Sequence, residues 1–128
     1  MYKQIIYCSR LKEIYDEQEV YHIVSHARKN NAKIGISGYL VFGNQCFLQV
    51  IEGYVGPVED LIKKIKIDQR HEAFKLISEE SIQYLDYEKW SMGYSSLMTQ
   101  HEVENNLDPD KLGKEESLKI LTTLSQKG

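Results

Sequence analysis

Apolar residues recur with a period of two over "KQIIYCS" (3–9), which predicts a first strand with Ile5, Tyr7 and Ser9 on one face and Gln4, Ile6 and Cys8 on the other. The period then lengthens. Asp16 and Glu19 have the spacing of a capping box, and Val20, Ile23, Val24 and Ala27 follow as the apolar stripe of a helix. A further step of four carries that stripe to Asn31, with Asn30 at its edge, so carboxamides end a core-facing stripe. Alternation returns over 34–43 and 45–52, a hairpin that turns at Gly43-Asn44 or at Asn44-Gln45. Either turn puts Ile36, Gly38, Leu40 and Phe42 on the face that carries Phe47, Gln49 and Ile51. The first turn would set Gly38 opposite Gln49 and leave space beside its amide. Gly56-Pro57 predicts the start of a second helix, with Val58, Leu61, Ile62 and Ile65 as its stripe and Asp68 as its extension. "AFKLISEESIQY" (73–84) and "EKWSMGYSS" (88–96) read as a fourth and a fifth strand, the fifth with Trp90, Met92 and Tyr94 on one face.

That order predicts an α+β, ferredoxin-like βαββαββ sandwich, a mixed sheet with two helices on one face. Beyond about residue 97 the composition turns polar, and Asp108-Pro109 can open a last helix through Leu118, Leu121 and Leu124. The expected division is one folded domain over 1–97 and a C-terminal helical extension over 98–128. Its leucines would dock on the bare face of the sheet or on another subunit.

Composition adds exclusions. A chain of 128 residues with 41% apolar and 27% charged residues has the size and make-up of a single globular domain. The net charge of −3 argues against a general nucleic-acid surface, and the N-terminus lacks the apolar core of a signal peptide. The longest uncharged run, Ile34 to Ile51, is interrupted by glycines, Asn44 and Gln49 and reads as two strands, not a membrane span. Cys8 and Cys46 have no metal or CxxC spacing, so they read as reduced thiols and the compartment as cytoplasmic.

Gln49 is the outlier of the pattern, because neither face of its strand is polar and an unpartnered buried amide costs about 1–3 kcal/mol per group. Tyr7, Ser9, Gln49, Asn30 and Asn31 all point toward the layer between sheet and helices. A satisfied polar network would explain any one of them. Together they suit a slot for a flat ligand with polar edges, and carboxamides match a heterocycle that presents carbonyls and ring N–H groups. Flavin is such a ring, and a tyrosine beside it would be an electron and proton donor. His22 and His26 have a metal pair's spacing but fall opposite the apolar stripe with no third ligand. Lys63, Lys64, Lys66 and Arg70 read as a solvated face, with Arg70 and His71 placed to meet an anionic or ribityl portion of a ligand. Phosphate-loop, dinucleotide and hydrolase-elbow motifs are absent.

The segments "IIYCSR", "NNAKIGISGYLVFGNQCFLQVIEG", "DQRHE" and "WSM", in that order over about residues 2 to 95, resemble the BLUF domains, flavin-binding sensors of blue light. The resemblance implies non-covalently held FAD, with FMN or riboflavin as alternatives, between the two helices. It implies that Tyr7 is the light-driven donor and Gln49 the amide joining it to flavin N5 and C4=O, with Ser9 close to the tyrosine. Asn31, with Asn30 beside it, would hold the polar edge of the ring, and Arg70 and His71 would lie near its carbonyl and side chain. Trp90 and Met92 match a pair of which either could face the flavin. The lit state would be a reversible red shift, passed to an unidentified downstream signalling protein, with a homo-oligomer expected and no nucleic acid or membrane partner. Two other classes compete. A flavin- or small-ligand-dependent enzyme on the same fold lacks a nucleophile–base pair, and an RNA-binding sheet lacks the aromatic signature and the basic face.

Overall fold

The computed structural model describes residues 1–96 and 107–127. The elements run β1 (Tyr2–Leu11), α1 (Glu17–Ile34), β2 (Ser37–Gly43), β3 (Cys46–Tyr54), α2 (Val55–Ile67), β4 (His71–Ile82), β5 (Gly93–Ser96) and α3 (Lys114–Lys127). The sheet order is β4-β1-β3-β2-β5, with β5 parallel to β2 and the other neighbours antiparallel. This is the ferredoxin-like mixed sheet that the alternation predicts.

The hairpin turns at Asn44-Gln45, both with positive φ (51° and 62°), the backbone that a two-residue turn needs to match strand twist. Leu40 therefore stands opposite Gln49, and Gly38 stands opposite Ile51. Of the two turns the sequence allows, the second is formed, and the pairing of Gly38 with Gln49 that the first would give is not made. Gly38 is glycine for another reason: a Cβ there would lie 2.2 Å from the Val50 carbonyl oxygen.

Asp16 caps α1 by accepting from Gln18 N at 3.0 Å, and Gly35, at φ 71°, ends it in the left-handed conformation. The capping box stays half-made, since the Glu19 carboxylate pairs with Arg70 at 3.2 Å instead. Helix α2 starts at Val55, so Pro57 is its third residue, where a missing N–H still removes no helical bond.

The fifth strand is shorter than expected, because residues 90–92 are held outside the ladder. Gly38 N donates to Trp90 O at 2.9 Å, Asn31 Nδ2 to Ser91 O at 2.9 Å and Arg28 Nε to Met92 O at 2.8 Å. Trp90 and Met92 consequently fall on opposite faces of the sheet, against the expectation that they share one with Tyr94. The last helix starts at Lys114, not at Asp108-Pro109. Asp108 instead opens a turn whose carbonyl accepts from Leu112 N at 3.1 Å.

Helices α1 and α2 cover one face, packing Val20, Val24, Val58 and Ile62 on Ile5, Leu40, Phe42, Phe47 and Ile51. Helix α3 covers the other, where Ile120, Leu121 and Leu124 meet Ile6, Cys8, Val41, Leu48 and Val50. The leucines of the tail thus dock on this chain's own sheet.

Candidate functional site

Strands β1 and β3 bring Tyr7 and Gln49 side by side as direct cross-strand partners, on the face under α1 and α2. Both are buried, and the Tyr7 hydroxyl donates a short hydrogen bond to Gln49 Oε1. The other end of the same amide, Nε2, lies 3.3 Å from Met92 Sδ, a weak acceptor. The amide that looked costly in the sequence is therefore satisfied at one end by a strong donor and at the other only by a thioether.

Above them the helices stand apart, and a cleft of about 640 Å³ opens between α1, α2 and the sheet. Leu40 and Phe47 line it from the sheet, Ile23 and Ala27 from α1, Leu61 and Ile65 from α2. Tyr7, Gln49, Asn31 and His71 contribute polar groups to its walls, while Asn30, His26, Lys33 and Lys64 are exposed lining residues. His26 thus reaches the cleft, contrary to its expected place opposite the apolar stripe. Among the described residues no group of three or more His, Cys, Asp or Glu is placed to hold a metal.

The electrostatics hold both titratable rings neutral. Burial raises the Tyr7 phenol well above its ordinary value, with the Asp68 carboxylate and Cys8 adding to the shift. Burial lowers the His71 imidazole, and its Nε2 lies 2.5 Å from Ile65 O. A neutral ring that donates from Nε2 keeps an accepting lone pair on Nδ1, and that atom is buried without a partner. Arg70 is locked by Asp68, at 2.6 Å, and by Glu19, and this pairing holds the Asp68 carboxyl below its usual range.

Each expected site residue can now be placed. Tyr7, Asn30, Asn31, Gln49, Arg70 and His71 line one cleft. Ser9 is fully buried on the same strand, its hydroxyl without a partner. Met92 reaches the Gln49 amide, whereas Trp90 packs edge-on against Tyr39 on the α3 side, 5.7 Å between ring centroids, and is not part of the cleft. Sequence reasoning missed Phe74 and Arg28. Phe74 stacks on Tyr7 at 4.9 Å and 18° because two residues of β4 oppose one of β1 near Ser9, with Ala73 at φ 54°. Such a bulge breaks the alternation that would have revealed it.

The cleft fits a flavin. Its volume lies within the roughly 300–1,000 Å³ of small-molecule pockets, and apolar side chains from the sheet and both helices alternate in its lining with Tyr7, Gln49, Asn31 and His71. The hydroxyls of Ser37 and Ser117 also lack partners on the α3 side, so a lone buried hydroxyl is no signature of a ligand. The imidazole Nδ1 differs in belonging to a residue that lines the cleft, where it is a buried acceptor with no partner in the protein.

A mixed sheet carrying a tyrosine–glutamine pair beneath a flavin-sized cleft defines a flavin-based photosensor. Residues 2–93 match the BLUF family, sensors of blue-light using FAD, and the chain belongs to that family. It is similar to the photoactivated adenylate cyclase subunit alpha of Euglena gracilis (34% identical over 77 residues, 59% of this chain) and to the subunit beta of Euglena longa (35% over 71 residues, 56% of this chain). The matched segment spans 8% of the length of each of those proteins. Among solved structures it resembles the photo-activated state of BlsA, with a TM-score of 0.83, 30% identity and coverage of 97% of this chain and 94% of BlsA. The dark-state structure of BlrB, a BLUF protein, shares the fold with a TM-score of 0.85 at 24% identity, covering 99% of this chain and 97% of that one. A bacterial light-regulated adenylyl cyclase matches 99% of this chain with 34% of its own, at 27% identity and a TM-score of 0.76. No helix among the described residues is long and apolar enough to cross a membrane.

Proposed function

We propose that this chain senses blue light through the Tyr7–Gln49 pair, with FAD in the cleft and a separate protein as the receiver. The observation that carries the reading is the hydrogen bond from the Tyr7 hydroxyl to Gln49 Oε1 at the base of the cleft. A bound flavin supplies the blue-light absorption and, when excited, a one-electron oxidant. Asn31 and Gln49 would hold its polar edge, and Arg70 and His71 would lie near its carbonyl and side chain.

Tyr7 is the electron and proton donor. Its raised pKa keeps the proton in place until the phenol is oxidised, when the acidity of the hydroxyl rises sharply and the proton has an acceptor in line at Gln49 Oε1. The Gln49 amide then rearranges by rotation, tautomerisation or both, which exchanges the donor and the acceptor that it presents to the cleft. The only bond to be surrendered at its far end is the weak one to Met92 Sδ. A local exchange of this kind reverts in the dark and forms no covalent bond between the flavin and the protein.

Signal transfer is read as protein contact. The sensor segment is similar to parts of photoactivated and light-regulated cyclases, and it also matches BlsA over 94% of that chain. The family is one of blue-light sensors, which supports a sensor as the reading of this segment. The division into a photosensor domain over 1–97 and an extension over 98–128, a homo-oligomeric state and a cytoplasmic location complete the proposal.

An absorption spectrum of the purified protein before and after blue light tests it, with extraction of the bound flavin to identify FAD. A yellow protein with a reversible red shift is expected. A colourless protein that takes up no flavin would overturn the reading.

A further inference from the structure

Glu52 is the one fully buried carboxylate among the described residues, and the photochemistry makes no use of it. It lies on β3, three residues beyond Gln49, with its side chain on the opposite face in a cross-strand row with Gln4 and Ser37. Its surroundings are donors. Gln4 Nε2 donates to Oε2 at 3.0 Å and Tyr87 N makes a short bond to Oε1, while burial raises the carboxyl above its ordinary value and these donors oppose the rise. Gln4 Nε2 also reaches Asp86 Oδ2 at 3.2 Å, so the amide ties the carboxylate to the same segment twice.

Asp86 and Tyr87 belong to the crossing that carries the chain from β4, at one edge of the sheet, to β5 at the other. That crossing ends in Trp90, Ser91 and Met92. Tyr87 O accepts from Trp90 N at 2.9 Å, so the residue gripped by Glu52 is bonded directly to the start of the segment that places Met92. The carbonyls of 90–92 are held by β2 and α1, and Met92 Sδ ends 3.3 Å from Gln49 Nε2. One strand thus carries the amide on one face and, on the other, the anchor of the loop whose sulfur touches that amide.

We propose that Glu52 is a positioning residue of the photocycle: by fixing Asp86 and Tyr87 it sets Met92 against Gln49 and so governs how fast the amide returns after illumination. The inference rests on the reading of Gln49 as the switch. A carboxylate offers acceptors to both Gln4 Nε2 and Tyr87 N, whereas an amide in its place must aim its NH₂ at one of them. Glu52→Gln therefore keeps the volume and loosens the loop. With Met92 less firmly seated, the amide turns past it more easily.

The test is the dark-recovery rate constant of the full chain, measured for wild type, Glu52→Gln, Met92→Leu and the double variant. Glu52→Gln is expected to retain the red shift and to recover faster by about tenfold or more, a change of about one decade in rate. In the Met92→Leu background the same substitution should have no further effect, because the side chain through which it acts is gone. A role in stability alone would leave recovery unchanged, so a Glu52→Gln rate within about twofold of wild type overturns the proposal. Effects that multiply independently in the double variant overturn it as well. Should Glu52→Gln fail to fold, Gln4→Leu removes one donor and leaves the bond from Tyr87 N; it should speed recovery by about two- to threefold, and an unchanged rate again overturns the proposal. A wild-type protein that binds flavin without any red shift refutes the switch itself, an outcome distinct from all of these.

Discussion

On the α3 side of the sheet, Ile6, Cys8, Leu48 and Val50 pack directly against Leu121 and Leu124; on the other side, one residue along the same strands, Tyr7 and Gln49 look into a cleft of about 640 Å³. The contrast arises from strand alternation alone. The closely packed face fixes the backbones of β1 and β3, and the other face can then hold a phenol and an amide in register with only Phe74 and Met92 against them. A photosensor needs both properties: a donor–acceptor geometry that does not wander, and room beside it for a chromophore and for an amide to turn. Substitutions of the apolar residues should accordingly sort by face, with those toward the cleft changing the light response and those packed on α3 changing stability; Glu52 crosses that division because it acts through the loop that carries Met92.

The largest expected effect breaks the cleft side only. Gln49→Leu keeps a similar volume among Phe47, Leu40 and Ile51, so fold and flavin should survive while the red-shifted state disappears. Tyr7→Phe should behave alike, since it retains the stack on Phe74 and loses the transferable proton. Light-minus-dark difference spectra check both, and a wild-type red shift in Gln49→Leu would reduce that residue to a satisfied core amide.

Leu121→Ala makes the complementary break. Leu121 is fully buried between α3 and the sheet, and the cavity left behind should destabilise the chain by about 2–5 kcal/mol. The red shift of the folded fraction should not change. Urea unfolding followed in the dark, with the difference spectrum recorded at zero denaturant, tests the pair of statements. An altered shift at intact fold would mean that the two faces are not independent.

The two faces were unequally legible in the sequence. Period-two alternation over 3–9 and 45–52 assigned Tyr7 and Gln49 to one face, and the structure keeps them there as direct partners. The stripe of α1 likewise pointed Asn31 inward, where it is buried. The failures fall where backbone geometry departs from a regular period. Ala73 and the bulge around it turn Phe74 onto Tyr7, and the turn at Asn44-Gln45 moves Gly38 away from Gln49. Residues 90–92 look like strand in the sequence because alternation cannot report that three of their carbonyls are claimed by Gly38, Asn31 and Arg28. Trp90 leaves the cleft for that reason. Glu52 read simply as a strand end, and its worth depends on Asp86 and Tyr87, residues brought to it by a crossing that local pattern does not encode.

A smaller effect sharpens the contrast within the cleft itself. Asn31 is buried and donates to Ser91 O at 2.9 Å, so Asn31→Ala removes a hydrogen bond that holds the loop and, on the proposed reading, a partner for the ligand's edge. Flavin should bind more weakly by about 1–3 kcal/mol, or roughly 5- to 150-fold. Flavin retained on repeated ultrafiltration at low protein concentration measures this. Undiminished retention would mean that Asn31 serves the loop alone.

The smallest expected effect is one of pH, and its sign follows from the burial of Tyr7. Burial first, then the Asp68 carboxylate and Cys8, raise the phenol above the value of about 10 of an exposed tyrosine. The folded protein therefore keeps the proton on which both the bond to Gln49 Oε1 and the photochemistry depend, even where a solvated phenol would be half ionised. The unfolded chain loses that proton first, so it binds fewer protons than the native state above about pH 10, and stability declines as pH rises from there. Unfolding, not titration of Tyr7 in place, should end the response. The amplitude of the red shift, recorded together with near-ultraviolet circular dichroism from about pH 8 to about pH 11, should stay constant through pH 10 and then fall only in step with loss of the fold. A halved amplitude at pH 10 in a protein that is still folded would show that water reaches the Tyr7 hydroxyl through the cleft, and that its burial there does not hold the proton.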